Sequence, residues 1–344
     1  MIHLTEYETR RNRILLSVIE SFIQTALPVG SRVVSEISRL GLSTATIRNI
    51  MAKLEEEGYI THPHTSAGRI PTVKGYRFYV DHLIATERLT AVEQQGIAEA
   101  FQESAMMERV MERVARLLSH MTDQVAVVLF PQRESNILKR IELIPVKERE
   151  VLVVLVTSAG IIKNALVQVE EESSKEELLR ISHFMNAELA NLTLADAYET
   201  LYHRLLDERS SFFYICKRAK EIMEQSGLLE EEERFYLEGT HTILEKPEFR
   251  SFERLQSILS ILEGKKRLLE ILRRNSTSEG VHVHIGEEIG DENIQGCTLV
   301  TSSYRVGRSQ GTLGVMGPTR LNYGRVMSIV RHVASKVTEW TETF

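Results

Sequence analysis

The chain has 344 residues, 42% of them hydrophobic and 26% charged, which is ordinary for a globular protein of two or three domains. No stretch approaches the roughly 18 consecutive apolar residues of a membrane helix, and the N-terminus lacks the apolar core of an export signal. The two cysteines, Cys216 and Cys297, suit a reducing compartment and exclude a disulfide framework. We therefore expect a cytoplasmic protein with no membrane partner.

The net charge of −6 is unevenly distributed along the chain. Residues 1–85 carry ten Lys and Arg against eight Asp and Glu, which gives +2, and the remaining residues carry −8. A basic end on an acidic protein indicates a localised anionic partner.

Two helical patterns open the chain. Thr5 and Glu8 have the spacing of a capping box, and the pattern that follows has one apolar face. A break at 27–30 leads to a shorter helix that starts at Ser31 and ends at Gly41. Four apolar side chains of this helix are expected to face the core: Val33, Val34, Ile37 and Leu40.

The third pattern, Ser43 to Gly58, predicts a complete helix. Ser43 or Thr44 can cap its first turn, and Gly58 suits a left-handed residue after its last turn. Apolar residues at i, i+3, i+4 and i+7 form one stripe: Ile47, Ile50, Met51 and Leu54. The opposite face carries Arg48 and Asn49, whose side chains can pair with base edges in a major groove. Taken alone, this pattern would fit any amphipathic helix that packs one face on the core and exposes the other to solvent.

The residues that follow favour DNA binding. Residues 59–61 and 69–71 predict two short strands, joined by a tip of small and polar residues. A helix-turn-helix followed by such a hairpin is typical of a winged helix. The tip suits contact with phosphates or a minor groove, and a further helix is expected from Thr72 to about Ile84.

Ten residues are therefore candidates for DNA contact: Ser43, Thr44, Ala45, Arg48, Asn49, Lys53, His64, Arg69, Lys74 and Arg77. We expect Arg48 and Asn49 to contact bases or phosphates. The other cationic residues, with Arg32, are candidates for phosphate contact. The alternative for each cation is a plain surface charge or an ion pair with the acidic run at 55–57.

The rest of the chain predicts an α+β arrangement. A helix is expected at about 100–120, a buried strand at 125–130, and an antiparallel meander of three strands over 138–169. Helices are expected at 174–190, 193–209, 210–226, 252–274 and 322–340. Further strands are expected at 235–237, 282–285, 299–304 and 312–316.

Two regions resemble the heat-inducible transcription repressor HrcA family. The first is residues 28–83, with the strings TSAGRIPT (65–72) and KGYRFYVD (74–81). The second is 306–319, with the string GTLGVMGPTR that starts at Gly311. The resemblance thus involves both ends of the chain.

This resemblance implies a homodimeric repressor that binds an inverted-repeat operator called CIRCE upstream of chaperone operons. It implies release on heating and a GroE chaperonin partner that maintains activity. It also implies a DNA-binding domain at 1–85, a GAF-like domain at 100–134 and 229–344, and an inserted dimerising domain at 135–228. The alternative division puts the meander in the GAF-like sheet and the insert at about 170–275.

Other kinds of site are weakly indicated. His282 and His284 alternate on a predicted strand and could share a metal, but no third ligand is evident nearby. No nucleophile elbow, zinc-protease motif or phosphate-binding loop is present, so we expect no enzyme, no metal and no cofactor. The alternative function is a small-molecule-responsive winged-helix regulator with an effector site in the GAF-like domain.

Overall fold

The computed structural model describes residues 6–63, 68–84, 87–101, 107–130, 137–158, 162–169, 172–205, 213–226, 235–275, 279–306 and 309–342. Within these residues the chain combines helices with three antiparallel sheets, which confirms the α+β class. No helix in the described residues is long and apolar enough to cross a membrane.

The N-terminal region consists of three helices and a hairpin: α1 (Glu6–Thr25), α2 (Ser31–Ser38), α3 (Thr44–Glu56), β1 (Ile60–Thr61) and β2 (Ile70–Pro71). The Ser43 side chain caps α3 by accepting a hydrogen bond from the Thr46 backbone N–H at 3.1 Å. Gly58 has a φ of +79° and follows the helix, as predicted.

The prediction for α2 was partly wrong. Val34 is fully buried and Leu40 is half-buried, but Val33 and Ile37 are 42% and 45% exposed. The helix is only eight residues long and turns one narrow face to α1 and α3. The adjacent residues Val33 and Val34 therefore cannot both point inward.

A connecting segment links this region to the rest of the chain. It contains α4 (Val73–Phe78), a π-helical turn (Tyr79–Leu83), α5 (Ala91–Glu99) and α6 (Met107–Thr122). We had not predicted α5, which begins with a capping box between Thr90 and Glu93. The helix predicted from Ala100 is described only from Met107 onward.

The largest sheet has the strand order β7-β3-β10-β9-β8. Its strands are β3 (Val125–Leu129), β7 (Phe235–Glu238), β8 (Val281–Ile285), β9 (Cys297–Val306) and β10 (Ser309–Pro318). One face packs on α6 and on α13 (Tyr323–Thr341). The other face packs on α11 (Phe252–Glu263) and α12 (Lys265–Arg274), beside the short α10 (Thr242–Glu245). Because both faces are covered, every residue of β3 is buried.

One predicted helix is interrupted. The pattern from Phe252 to Arg274 forms α11 and α12, which are separated at Gly264. A Cβ at Gly264 would lie 2.9 Å from the Ser260 carbonyl oxygen, so this approach needs a residue without a side chain.

The meander forms a separate unit. Strands β4 (Leu138–Lys147), β5 (Glu150–Thr157) and β6 (Ile162–Gln168) make a three-stranded sheet. Helices α7 (Lys175–Leu189), α8 (Leu194–Leu205) and α9 (Phe213–Gln225) follow it, and together they enclose a core of their own. Within the described residues, the meander shares no strand pairing with the larger sheet.

Gly75 marks the closest approach between α4 and the hairpin. A Cβ at this position would lie 2.1 Å from the Tyr59 carbonyl oxygen. We expect Gly75→Ala to lower the free energy of unfolding by roughly 1–3 kcal/mol, because backbone must move to admit the methyl group. Thermal unfolding measures the change.

The matched control is Gly96→Ala in α5, where an added Cβ meets nothing within 4 Å. Alanine favours a helix over glycine, so this variant should unfold at an equal or higher temperature than the natural chain. Equal midpoints for the two variants would contradict the close approach at Gly75.

Candidate nucleic-acid interface

Helix α3 presents two contrasting faces. Its apolar stripe is buried, with Ile47 and Leu54 fully inaccessible to solvent. Arg48 and Asn49 are exposed on the opposite side, and no hydrogen bond or ion pair ties either of them to another described residue. A guanidinium and an amide that project freely from a firmly packed helix can form paired hydrogen bonds with an external ligand.

The other candidates at the start of α3 lie on the same side. Ser43, Thr44 and Ala45 are all exposed, and Lys53 is exposed one turn beyond Asn49. The Lys53 ammonium lies 5.3 Å from the centre of the Tyr7 ring. The structure thus brings six of the ten predicted residues onto one face of α3 and its cap: Ser43, Thr44, Ala45, Arg48, Asn49 and Lys53.

The hairpin lies directly after α3. Val29, which precedes α2, pairs with Arg69 through two backbone hydrogen bonds of 2.8 and 2.9 Å, so this pairing continues the hairpin by one bridge. The predicted contact residue His64 lies outside the described residues.

Arg69 lies at the base of the hairpin rather than at its tip. Its guanidinium contacts the Glu55 carboxylate at 2.7 and 2.8 Å, and His62 on the opposite side of the hairpin also contacts Glu55. Burial raises the pKa of Glu55, but the His62 hydrogen bond and the Arg69 charge outweigh it, and the pKa lies below its ordinary value. Glu55 therefore joins both sides of the hairpin to α3. For Arg69 the structure thus shows the alternative, an ion pair with the acidic run at 55–57.

Lys74 also serves the local packing. Its ammonium donates a 2.8 Å hydrogen bond to the Glu57 carbonyl oxygen and lies 4.7 Å from the centre of the Tyr59 ring. The Arg11 guanidinium lies 4.9 Å from the centre of the same ring and forms an ion pair with the Glu57 carboxylate. Both cations hold the end of α3 against the hairpin.

Arg77 lies away from α3. Its guanidinium donates to Glu288 at 2.9 Å and to Asp81 at 3.1 Å, and it also reaches the carbonyl oxygen of Val283 on β8. Sequence patterns could not reveal this pairing, because Arg77 and Glu288 are 211 residues apart. Arg77 thus connects the N-terminal region to the large sheet.

Aromatic packing strengthens the same connection. The ring of Tyr323, at the start of α13, lies 5.7 Å from that of Tyr76 and 6.2 Å from that of Tyr79. Burial raises the pKa of the Tyr79 hydroxyl to about 12, and Tyr323 is completely buried. Arg320 extends the contact by donating a 2.8 Å hydrogen bond to the Ile23 carbonyl oxygen of α1. No local sequence pattern predicts this contact, and only the resemblance of both segments to one family connects them.

The described residues contain no group of three or more His, Cys, Asp or Glu side chains that could hold a metal ion. His284 is half-buried on β8, and burial lowers the pKa of its imidazole. Cys297 is buried, and burial raises the pKa of its thiol to about 12, which keeps it protonated and unreactive.

An exposed polar helix face beside a hairpin is an arrangement typical of DNA-binding regulators. The family model described as "HrcA protein C terminal domain" matches residues 108–327. The chain belongs to the heat-inducible transcription repressor HrcA family.

Named relatives support this assignment over nearly the full length. The Heat-inducible transcription repressor HrcA of Pelotomaculum thermopropionicum is 38% identical, over 97% of each chain. The repressor of the same name from Geobacter sulfurreducens is 37% identical, over 98% of this chain and 99% of its own. A crystal structure described as that of a hypothetical protein aligns over 99% of both chains, with 25% identity and a TM-score of 0.65. The family is one of transcription repressors and not of enzymes, as expected.

The contribution of the Arg77–Glu288 ion pair to the stability of the fold depends on pH. Burial raises the pKa of Glu288, but the hydrogen bonds from Arg77 and from the Ile285 backbone lower it below its ordinary value of 4.5. A carboxylate with a depressed pKa stabilises the fold above that ordinary value, and its contribution disappears as the pH falls through the lowered pKa. Glu288→Gln should cost roughly 1 kcal/mol at pH 7, because the pair is partly exposed.

Thermal unfolding between pH 7 and pH 3 measures this difference, which should shrink below pH 4.5. The matched control is Glu287→Gln, since Glu287 is exposed and has no ion pair with a described residue. A Glu288→Gln effect that stayed constant with pH, or that Glu287→Gln reproduced, would show that the ion pair does not stabilise the connection.

Proposed function

We propose that the N-terminal region is a winged helix-turn-helix and that α3 reads the major groove of an operator. The observation that carries this proposal is the free, exposed pair Arg48 and Asn49 opposite a fully packed stripe. Arg pairs well with guanine and Asn with adenine, while Ser43 and Thr44 at the helix start suit a phosphate. Lys53 and the tip residue His64 are proposed to contact the backbone.

The positions of Arg69, Lys74 and Arg77 change their proposed roles. Arg69 and Lys74 support the hairpin through Glu55 and the Glu57 carbonyl, so we propose that they orient the wing. Arg77 pairs with Glu288 and is proposed to hold the DNA-binding region against the large sheet.

The domain division is proposed as 1–85 for DNA binding, 100–134 with 229–344 for a GAF-like domain, and 135–228 for an inserted domain. The insertion is supported by strand pairing, because Leu129 at the end of β3 pairs with Phe235 at the start of β7. The chain thus leaves the large sheet and returns to it at neighbouring points. The residues between have a separate core.

We propose that the inserted domain forms a homodimer through the outer face of its sheet. One face of β4–β6 is covered by helices, but the other is largely apolar and uncovered by described residues. Ile144, Leu152 and Leu166 are cross-strand neighbours on this outer face, and Leu166 is 59% exposed. An uncovered apolar sheet face favours association with a second copy.

A dimer would place two α3 helices on the two halves of an inverted repeat, since operator symmetry follows protein symmetry. From the family resemblance we propose that the operator is CIRCE and that the regulated genes encode chaperones. Heat would lower the fraction of active dimer, and the GroE chaperonin would restore it. Such a repressor would act in the cytoplasm, at the nucleoid when bound to DNA.

The base-reading role is tested by Arg48→Ala with Asn49→Ala. Selection of bound fragments from random DNA should yield a symmetric repeat with the natural chain. The double variant should keep its fold but lose about tenfold or more in the ratio of specific to non-specific affinity.

Arg32→Ala is the comparison, because Arg32 is 90% exposed on α2 and is proposed to contact only phosphate. This variant should bind all DNA sequences more weakly. The slope of log affinity against log salt concentration should become smaller by about one, because one phosphate contact is lost. An unchanged specificity ratio in the double variant would remove α3 from its proposed role.

The dimer interface is tested by two matched leucines. Leu166→Asp introduces charge on the outer sheet face, whereas Leu179→Asp does so on α7, where Leu179 is 54% exposed. Sedimentation should show that Leu166→Asp dissociates the dimer and that Leu179→Asp leaves it intact. A dimer that survives Leu166→Asp would place the interface elsewhere.

A further inference from the structure

A polar groove lies between the connecting segment and the C-terminal helix. It has a volume of about 410 Å³ and is lined by Glu87, Arg88, Leu89, Gln94, Ser328, Arg331, His332 and Ser335. This volume lies within the range of small-molecule sites in proteins. One wall comes from the segment that follows the DNA-binding region, and the other from α13.

The wall on α13 is a regular polar stripe. Ser328, Arg331, His332 and Ser335 are spaced at i, i+3, i+4 and i+7, so they share one face of the helix. The opposite face is fully buried in the core at Ile329, Val330 and Val333. The stripe therefore cannot rotate away from the groove.

The opposite wall is fixed in place. The Glu93 carboxylate accepts from the Thr90 backbone N–H at 2.8 Å and forms a 2.6 Å ion pair with Arg325, one turn before Ser328. The Gln94 amide donates to the Leu89 carbonyl oxygen at 3.2 Å. These contacts hold the start of α5 and the preceding loop against α13, so the groove is preformed.

The lining of the groove carries two arginines, Arg88 and Arg331, against one carboxylate, Glu87, so cationic side chains are in excess. Neither Arg88 nor Arg331 has an ion pair or hydrogen bond with another described residue. The Nε2 atom of His332 is shielded from solvent and has no hydrogen-bond partner among the described residues. Shielded polar atoms are normally paired in proteins, so an unpaired imidazole nitrogen beside two unpaired guanidiniums indicates a missing acceptor or anion.

A second cavity, lined by Lys246, Arg320 and Arg325, provides a contrast within the same molecule. Each of these cations already has a carboxylate partner: Asp123 for Lys246, Glu248 for Arg320 and Glu93 for Arg325. Its charges are satisfied internally. The groove at Arg88 and Arg331 differs in having cations without such partners.

We propose that this groove binds a small molecule that carries two anionic groups, either phosphates or carboxylates. Arg88 and Arg331 each pair with one anionic group, and the hydroxyls of Ser328 and Ser335 complete the contacts. Since Arg88 belongs to the segment after the DNA-binding region and Arg331 to α13, the ligand joins the two. The bound molecule thereby changes operator affinity, a consequence that rests on the proposed function.

Isothermal titration of the full chain with inorganic pyrophosphate, and separately with citrate at matched ionic strength, tests the site. We expect saturable binding of one molecule per chain for at least one of the two, and the pair of titrations distinguishes phosphate from carboxylate ligands. Arg331→Gln and Arg88→Gln should each weaken this binding by about tenfold or more.

The matched control is Arg109→Gln on α6, an exposed arginine outside the groove, which should bind as the natural chain does. Absence of saturable binding to both probes would overturn the site, as would equal weakening in all three variants. Either result would stand whether or not the chain binds an operator.

The coupling is measured as operator affinity with and without the bound probe, in the natural chain and in Arg331→Gln. A shift in the natural chain that Arg331→Gln abolishes supports coupling. An equal shift in both proteins reflects ionic competition for DNA and would overturn the coupling while leaving the binding site intact.

Discussion

The arrangement of the molecule depends on one packed connection, the segment from Thr72 to Asp81. Gly75 on one side of this segment touches the Tyr59 carbonyl, while Tyr76 and Tyr79 pack against Tyr323. The same short helix therefore supports the hairpin and contacts the large sheet. Because the buried core is continuous across it, the exposed face of α3 has a fixed orientation relative to α13.

This continuity has a consequence for the effect of heat. Regions that share a core tend to unfold together, whereas a region with a separate core can unfold by itself. The N-terminal helices share a core with one face of the large sheet, but the meander and its helices do not. Loosening of the large sheet would thus disturb the orientation of α3. Loss of the meander would affect chiefly the proposed pairing of subunits.

The sequence predicted what local signals determine and missed what distant residues determine. Ser43, the buried stripe of α3 and Gly58 lie within 16 residues, so the helix, its cap and its exposed face could be predicted from spacing alone. The roles of the cations could not, because Arg77 pairs with a carboxylate 211 residues away. Helix α5 was missed because its nine residues bury only Ile97 and show no amphipathic pattern. Its cap at Thr90 and Glu93 was the available signal.

The pairing of β3 with β7 separates two tasks within the chain. Four residue pairs, from Ala126–Glu238 to Leu129–Phe235, bring together the strands that flank the proposed insertion. The proposed subunit contact on the outer face of β4–β6 is therefore linked to the large sheet through two neighbouring strand ends. In the proposed dimer, such a link would allow the strength of subunit pairing to vary while the large sheet and α3 keep their mutual orientation. The stability of the proposed dimer would then depend on the meander, and the orientation of α3 on the tyrosine contacts at α13.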